Sequence, residues 1–423
     1  MTNVYIETYG CSQNFADSEQ MAGLLKEAQF KIILDFENAD IVIINTCTVK
    51  SPTDTAFFKR LQEIKEKYPY KIVIVAGCIA QTEPKKLAKY PLVGTKQIQN
   101  IVEVVEEALN DSIIKMLDQN EMPPLNTPRV RKNEVVAIIP ISRGCLGACS
   151  FCKTKFARGK LCSYTIDEIK KEAQLMLKED VKEIWLTSQD TGCYGFDIET
   201  TLPELLTELV KIPGNFKIRI GMMNPNHLIK IKDQLFPLLN NEKIFQFLHL
   251  PLQSGNNTVL KLMNRKYTRE GYLQLIKEIR FFFPEMTIAT DLIVGFPTET
   301  DEYFWDTQTA VREFTPDVVN ISRYWVRAGT KAAEMKQLLG ETVKHRSRII
   351  RDICYNITKM QNEKWIGLEG NIIIDEFGKE SGQFLGRNKS YKQVLIKGNF
   401  KLGDVVKVKI EKVTPYYLIG KVY

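Results

Sequence analysis

Hydrophobic residues fall in short runs separated by longer amphipathic stretches, and the rhythm changes twice along the chain. In the first 110 residues, apolar runs at 3–8, 41–45 and 71–76 predict strands, and helical periodicity at 17–28, 53–67 and 97–109 predicts helices. Strands alternating with helices predict an open parallel sheet, whose carboxyl-end loops share one edge. Between 110 and 134 the rhythm lapses. Met122-Pro123-Pro124-Leu125-Asn126-Thr127-Pro128 sustains neither helix nor central strand, so 111–133 is expected to be a linker. Apolar runs at 135–141, 183–187, 217–221, 245–250, 287–294 and 318–322 then alternate with helical stretches such as 166–177 and 202–209. A closed eight-stranded barrel takes roughly 250 residues, more than this segment offers, so a partial (β/α)6 barrel is expected. A helical connector at 336–364 leads into short strands at 371–375, 383–386, 393–396, 405–411 and 418–422, the pattern of a small β-barrel. The expected fold class is α/β: an N-terminal open-sheet domain over 1–110, a central partial barrel with its connector over 134–364, and a C-terminal small barrel over 365–423.

Composition narrows the setting. At 423 residues with 44% hydrophobic content, the chain has room for several globular domains. No stretch approaches eighteen uninterrupted apolar residues, and the N-terminus runs straight into a strand, so no membrane association is expected. Nine cysteines are too few and too scattered for a secreted disulfide scaffold. A reduced, cytoplasmic location is expected, and a monomer. The net charge of +7 leans toward a polyanionic partner.

The cysteines carry the chemistry. Cys145, Cys149 and Cys152 spell C-x3-C-x2-C on the loop leaving the 135–141 run. Three thiolates this close can hold three corners of an iron-sulfur cubane and leave its fourth iron open. A zinc knuckle would want a fourth ligand at short spacing, and the next cysteine, Cys162, is ten residues on. Cys11, Cys47 and Cys78 each follow one of the first three predicted strands, so an open sheet would bring them to one edge as a second three-cysteine centre. Gly10 and Gly77 would let the backbone pass close to a bulky inorganic ligand. Ser12, Gln13 and Asn14 either donate to cluster sulfides or cap the following helix. Cys162, Cys193 and Cys354 stand outside both groups.

The C-x3-C-x2-C motif resembles that of radical S-adenosylmethionine (SAM) enzymes, in which the open iron binds SAM. Tyr9-Gly10-Cys11-Ser12-Gln13-Asn14 with Ala16-Asp17-Ser18-Glu19, Asn45-Thr46-Cys47 and Ala76-Gly77-Cys78 resemble the N-terminal domain of the methylthiotransferases within that superfamily. The resemblance implies two [4Fe-4S] clusters, SAM as both radical source and methyl donor, a reductant or electron donor, and a sulfur donor. It also implies that the strand-end loops line a SAM pocket. Gln189 and Asp190 can take the SAM amino group or a ribose hydroxyl, or else cap the next helix; Gln253 and Ser254 offer further polar groups, and Gly295 gives main chain a close approach. Phe151 would shield the cluster and pack against SAM. His249 is assigned no metal, and the setting of Asp291 defines no proton-transfer role.

Gly386 to Gly403 contains Arg387, Lys389, Lys392, Lys397 and Lys401 with no acid, interleaved with Tyr391 and Phe400. This pattern suits phosphates and stacked bases, though a charged edge that resists aggregation has the same composition. Gly386-Arg387-Asn388-Lys389-Ser390-Tyr391-Lys392 resembles the turn of the TRAM domain, an RNA-binding barrel, and so marks Arg387, Asn388 and Lys392 as expected tRNA contacts. Gly221-Met222-Met223-Asn224-Pro225 and Ser188-Gln189-Asp190-Thr191-Gly192 resemble the archaeal and eukaryotic branch acting on N6-threonylcarbamoyladenosine-37. That substituent carries a carboxylate, so Arg219 and Arg323 are the expected cations, unless they serve SAM or a structural ion pair. Action on isopentenyladenosine or on a ribosomal protein, or a plain iron-sulfur or RNA-binding role, are the rival readings.

Overall fold

The computed structural model describes residues 1–48, 51–118 and 120–423. It divides into two compact units. The first comprises 1–132, 138–148 and 152–172; the second comprises 133–137, 149–151 and 173–423.

The first unit is built on a six-stranded sheet of β1 (Asn3–Thr8), β2 (Lys31–Ile33), β3 (Ile41–Thr46), β4 (Ile72–Gly77), β5 (Leu92–Val93) and β6 (Lys115–Met116), in the order β2-β1-β3-β4-β5-β6. Every pairing is parallel. All six residues of β3 are buried, as a central strand covered on both faces requires. Ile41 and Ile43 pack with Met21 and Leu25 of helix Ser12–Glu27 and with Ile101, Val104 and Val105 of helix Ile101–Leu109. Val42 and Ile44 pack on the opposite face with Phe57, Leu61 and Ile64 of helix Ser51–Lys67. Strand order reverses between β1 and β3, so the crevice beyond their carboxyl ends is the switch point where open α/β sheets bind ligands.

Residues 123–132 are strapped along helix Ser12–Glu27. Gln20 Nε2 donates to the Pro124 carbonyl at 2.7 Å and Val130 N donates to the Glu19 carbonyl at 2.9 Å. A Cβ at Gly23 would lie 2.0 Å from the Pro128 oxygen, so only glycine lets the strap lie this close. Arg129 ends in a buried ion pair with Glu172 at 2.7 Å.

The second unit holds two groups of parallel strands: Glu183–Thr187 with Lys217–Ile220, and Phe247–His249 with Thr287–Val294 and Val318–Arg323. A parallel bridge between Ile218 and Ile244 continues one group toward the other. Helices between strands bury one apolar stripe each, for instance Tyr272, Leu275, Ile276 and Ile279 of Arg269–Phe282, whose Thr268 caps the Gly271 amide. Helix Gly340–Glu363 leads to a closed five-stranded barrel of Glu369–Phe377, Gln383–Arg387, Gln393–Lys397, Val405–Val413 and Leu418–Val422. Its core is Ile372, Ile374, Phe384, Val394, Ile396, Val408, Ile410 and Leu418. The α/β class and small terminal barrel are as expected. The short strands β2, β5 and β6 were not, because two or three residues carry no readable period.

Candidate active site

The three N-terminal cysteines meet at the switch point. Cys11 is the N-cap of helix Ser12–Glu27, Cys47 follows β3 directly, and Cys78 opens helix Cys78–Thr82 after β4. Cys47 and Cys78 are buried and Cys11 is exposed at the rim. Gly10, at φ +129, is squeezed against Cys47: a Cβ there would lie 2.5 Å from Cys47 Cβ and 3.0 Å from its sulfur. Gly77, at φ +85, lets the chain turn beside Asn45. A hydrogen bond from Cys47, with the Arg158 charge and the amides of Asn14 and Gln13, draws the Cys11 thiol down to about 6. Burial pushes the Cys78 thiol up, and Arg158 partly offsets this.

Asn14 is no cap. Its Oδ1 accepts from Cys11 Sγ at 3.3 Å, and its Nδ2 donates to the Thr46 carbonyl at 2.8 Å and to Asn45 Oδ1 at 3.1 Å. Asn45 in turn donates to Ser18 Oγ. This buried network fixes the Cys11 loop to the end of β3. Beneath it Asp17 pairs with both Arg143 and Arg158 at 2.8 Å, all three side chains being 1% exposed. Among the described residues the Gln13 amide, the Thr48 hydroxyl and Arg158 Nη2 are buried without a hydrogen-bond partner. Three soft ligands ringed by unsatisfied polar atoms fit a polar inorganic group such as an iron-sulfur cluster. Sequence pattern pointed to the cysteines and to Gln13; Arg158 escaped notice because nothing near it in sequence marks it.

The second motif is split between the two units. In the first, Gly147 N donates to Cys145 Sγ at 3.1 Å, and Gly144, at φ +77, sits where a Cβ would lie 1.9 Å from the Lys160 oxygen. In the second, Arg265 Nη1 donates to Cys149 Sγ at 3.4 Å, and its Nε donates to the Tyr267 hydroxyl, which donates to the Pro251 carbonyl. Phe151 packs edge-to-face on buried Phe296, ring centroids 6.4 Å apart. All three motif cysteines are half-buried.

The strand-end loops of the second unit differ in how free their polar atoms are. Asp190 is fully buried, and its carboxylate accepts from Gly192 N at 3.1 Å, from Asn224 N at 3.0 Å and from the Asn224 amide, with His227 Nδ1 at 2.6 Å. Those bonds use up the acceptor capacity expected for SAM, so Asp190 is a brace between loops. Cys193 closes the same knot by donating to the Asp190 carbonyl. Ser254 is likewise fully buried, its hydroxyl held by Thr307 Oγ1 and the Asn256 amide. Gln253 remains open: its φ is +67, and its buried Oε1 lacks a partner among the described residues. Gln189 is half-buried beside Asp190. Gly295, at φ +73, passes close to Val343, where a Cβ would lie 2.5 Å from a methyl. His249 Nε2 meets Asp291 Oδ2 at 2.9 Å, and Asn320 donates to Asp291 Oδ1 at 2.9 Å, a line across three strands that sequence reading did not join.

The turn at 387–392 corrects an expectation. Arg387 pairs with buried Asp375 at 2.9 Å, Asn388 Oδ1 accepts the amides of Ser390 and Lys392, and Lys392 Nζ bonds Asp317 at 2.9 Å and Asn362 at 2.8 Å. Tyr391 is buried among Trp185, Phe245 and Phe247. The guanidinium of Arg219 lies 5.1 Å from the Trp185 and Phe247 rings and 5.2 Å from Tyr391. Apart from exposed Lys389, the turn faces the (β/α) strands, and Arg387, Asn388 and Lys392 spend their polar atoms on partners within the chain in place of the expected tRNA contacts. Above it a cavity of about 310 Å3 is lined by Arg219, His249, Asn320, Tyr391 and Lys392. Burial, and then the charge of Asp375, push Glu183 up to about 8; the Trp185 indole, Arg387 and Arg219 oppose this. Arg323, in contrast, is exposed at the end of its strand, followed by Trp325 at 58% exposure.

Three family models match: the uncharacterized protein family UPF0004 over 3–95, the radical SAM superfamily over 139–311 and the TRAM domain over 365–423. A Pyrococcus abyssi protein named "Probable threonylcarbamoyladenosine tRNA methylthiotransferase" is 41% identical over the whole of both chains. The chain belongs to the threonylcarbamoyladenosine tRNA methylthiotransferase family. A Danio rerio member is 36% identical, covering all of this chain and 78% of its own length. The radical SAM methyltransferase TsrM from Kitasatospora setae shares the fold at 14% identity, with a TM-score of 0.58 over 79% of this chain and 77% of its own. Family membership implies SAM and one [4Fe-4S] cluster. No helix among the described residues is long and apolar enough to cross a membrane.

Proposed function

We propose that this member adds a methylthio group to C2 of N6-threonylcarbamoyladenosine at position 37 of tRNA, with SAM as both radical source and methyl donor. The observation that carries the reading is the meeting of Cys11, Cys47 and Cys78 at the switch point of a domain separate in sequence from the radical SAM motif. When bound, a [4Fe-4S] cluster at Cys145, Cys149 and Cys152 supplies the electron for SAM cleavage, and a second at Cys11, Cys47 and Cys78 supplies a place to hold sulfur.

The chain's own residues bind and orient. Arg265 and the Gly147 amide donate to motif thiolates, and Phe151 with Phe296 keeps water from that centre. Gln253, whose Oε1 lacks a partner among the described residues, and Gln189 offer polar atoms to SAM, and Asp190 and Ser254 hold those loops in place; the space beside Gly295 is taken by Val343, so that glycine serves packing and not the expected approach to SAM. Arg323 is the better cation for the threonylcarbamoyl carboxylate, because Arg219 is already boxed by three rings. The tRNA backbone is gripped by the outer face of the terminal barrel, where Lys407, Lys409, Lys412 and Lys421 are exposed with Tyr416 and Tyr423. A reductant, a sulfur donor, a cytoplasmic location and a monomeric state complete the reading.

Nucleoside mass spectrometry of tRNA incubated with loaded enzyme, SAM, reductant and sulfide tests it. The 2-methylthio derivative of N6-threonylcarbamoyladenosine is expected; product from isopentenyl-modified tRNA or a ribosomal protein alone would refute it.

A further inference from the structure

Arg158 stands six residues beyond Cys152, yet its side chain reaches the other cysteine group. The short helix Thr154–Arg158 is pinned in the first unit by the Lys153–Glu83 ion pair and by Thr95 Oγ1, which donates to the Ala157 carbonyl at 2.6 Å. Arg158 is 1% exposed. Its Nη1 pairs with Asp17 at 2.8 Å, while its buried Nη2 lacks a hydrogen-bond partner among the described residues. Helix Thr154–Arg158 packs against helix Cys78–Thr82, which places its Arg158 end on the side of the cysteines.

Charge balance sharpens the point. Asp17 is the shared counter-ion of Arg143 and Arg158, so the buried trio holds one positive charge in excess. An uncompensated buried charge is expensive, and a half-satisfied guanidinium adds the desolvation of its free donor. Arg143 spends its other donors on the Thr95 carbonyl and the Tyr164 hydroxyl. The excess charge and the open donor therefore both reside on Arg158, on the side of the cysteines. A cubane held by three thiolates is an anion with sulfides that accept hydrogen bonds, which answers both deficits at once.

We propose that Arg158 is the charge-compensating positioning residue of the Cys11, Cys47 and Cys78 centre, its fixed cation holding the reduction potential of the bound cluster up and its Nη2 donating to the cluster's sulfur shell. This rests on the second-cluster reading above. The segment that carries one cluster motif thereby furnishes the cation for the other centre.

The test uses the full chain with C145A/C149A/C152A, so that after anaerobic reconstitution only the N-terminal centre is loaded. Iron and sulfide are counted, and an EPR-monitored redox titration is run on this parent, on Arg158→Gln and on Arg158→Lys. The glutamine variant is expected to titrate at a more negative potential than the parent, with lysine recovering most of the shift. A glutamine variant that keeps its iron and titrates with the parent overturns the proposal. Should glutamine lose iron instead, recovery of iron by lysine upholds the charge role, and loss in both variants with unchanged thermal unfolding overturns it. A parent that binds no iron defeats the second-cluster reading itself and is told apart by the count alone.

Discussion

Two buried basic side chains sit in opposite circumstances. Lys392, in the terminal barrel, ends on Asp317 and Asn362, and its turn is closed by Asn388 and by the Tyr391 ring. Arg158, in the first unit, has one terminal nitrogen on Asp17 and the other on nothing in the described chain. Sequence marks Lys392 as an expected nucleic-acid contact and does not mark Arg158 at all. A buried cation whose donors are all met holds the fold, whereas one left short of partners and rich in charge is built around something else.

The contrast breaks most visibly at the cysteines. C11A/C47A/C78A is expected to lose about four irons per chain and all methylthiolated nucleoside, while still releasing 5′-deoxyadenosine from SAM. Iron analysis and mass spectrometry of one reaction check it; retention of every iron would mean the switch point holds no cluster.

On the other side, Tyr391→Ala should cost about 3–5 kcal/mol, as for other buried aromatic truncations, read by urea denaturation. Its tRNA affinity under conditions where it remains folded should match that of the parent. A large loss of affinity with little loss of stability would return the turn to the RNA.

A third measurement separates the inward from the outward lysines. K407A/K409A/K412A should weaken tRNA binding and flatten its salt dependence by roughly one ion for each phosphate contact removed. Lys392→Met should leave the salt slope unchanged.

The smallest effect is a pH slope. The unfolded chain releases the Glu183 proton near the ordinary 4.5, whereas burial and the facing charge of Asp375, only partly offset by Trp185, Arg387 and Arg219, hold it to about 8 in the fold. Between those values the fold binds the extra proton, so stability falls as pH rises. Glu183→Gln should flatten the decline of unfolding free energy across that window, as followed by denaturant melts at several pH values.

What was legible in sequence follows the same division. The positions of Cys11, Cys47 and Cys78 at strand ends could be read because each follows a short apolar run, and a parallel sheet converts such sequence positions into one edge. The direction of the 387–392 turn could not. Its acids, Asp375 and Asp317, lie 12 and 75 residues away, and composition does not tell whether a lysine faces water or a distant carboxylate. For Asp190 the sequence leaves SAM binding and helix capping both open; it caps Thr191–Cys193 through the Gly192 amide, and its further partners Asn224 and His227 come from the next strand-helix junction, which sequence alone does not join to it. His249, Asp291 and Asn320 can hydrogen-bond only because parallel pairing sets their three strands side by side.

The crowding of Gly10 against Cys47 has a practical side. Because the chain at Gly10 presses against Cys47, and Cys47 hydrogen-bonds the Cys11 thiol, the backbone itself holds these two sulfurs side by side. The same closeness makes the pair a target for air. Cys11 is exposed and Cys47 is buried within hydrogen-bonding reach of it, so oxidation can join the two as a disulfide. On the two-cluster reading proposed above, iron loading and oxidation compete for the same pair of sulfurs, and protein handled aerobically should need a reducing step before it will accept iron at this end of the molecule.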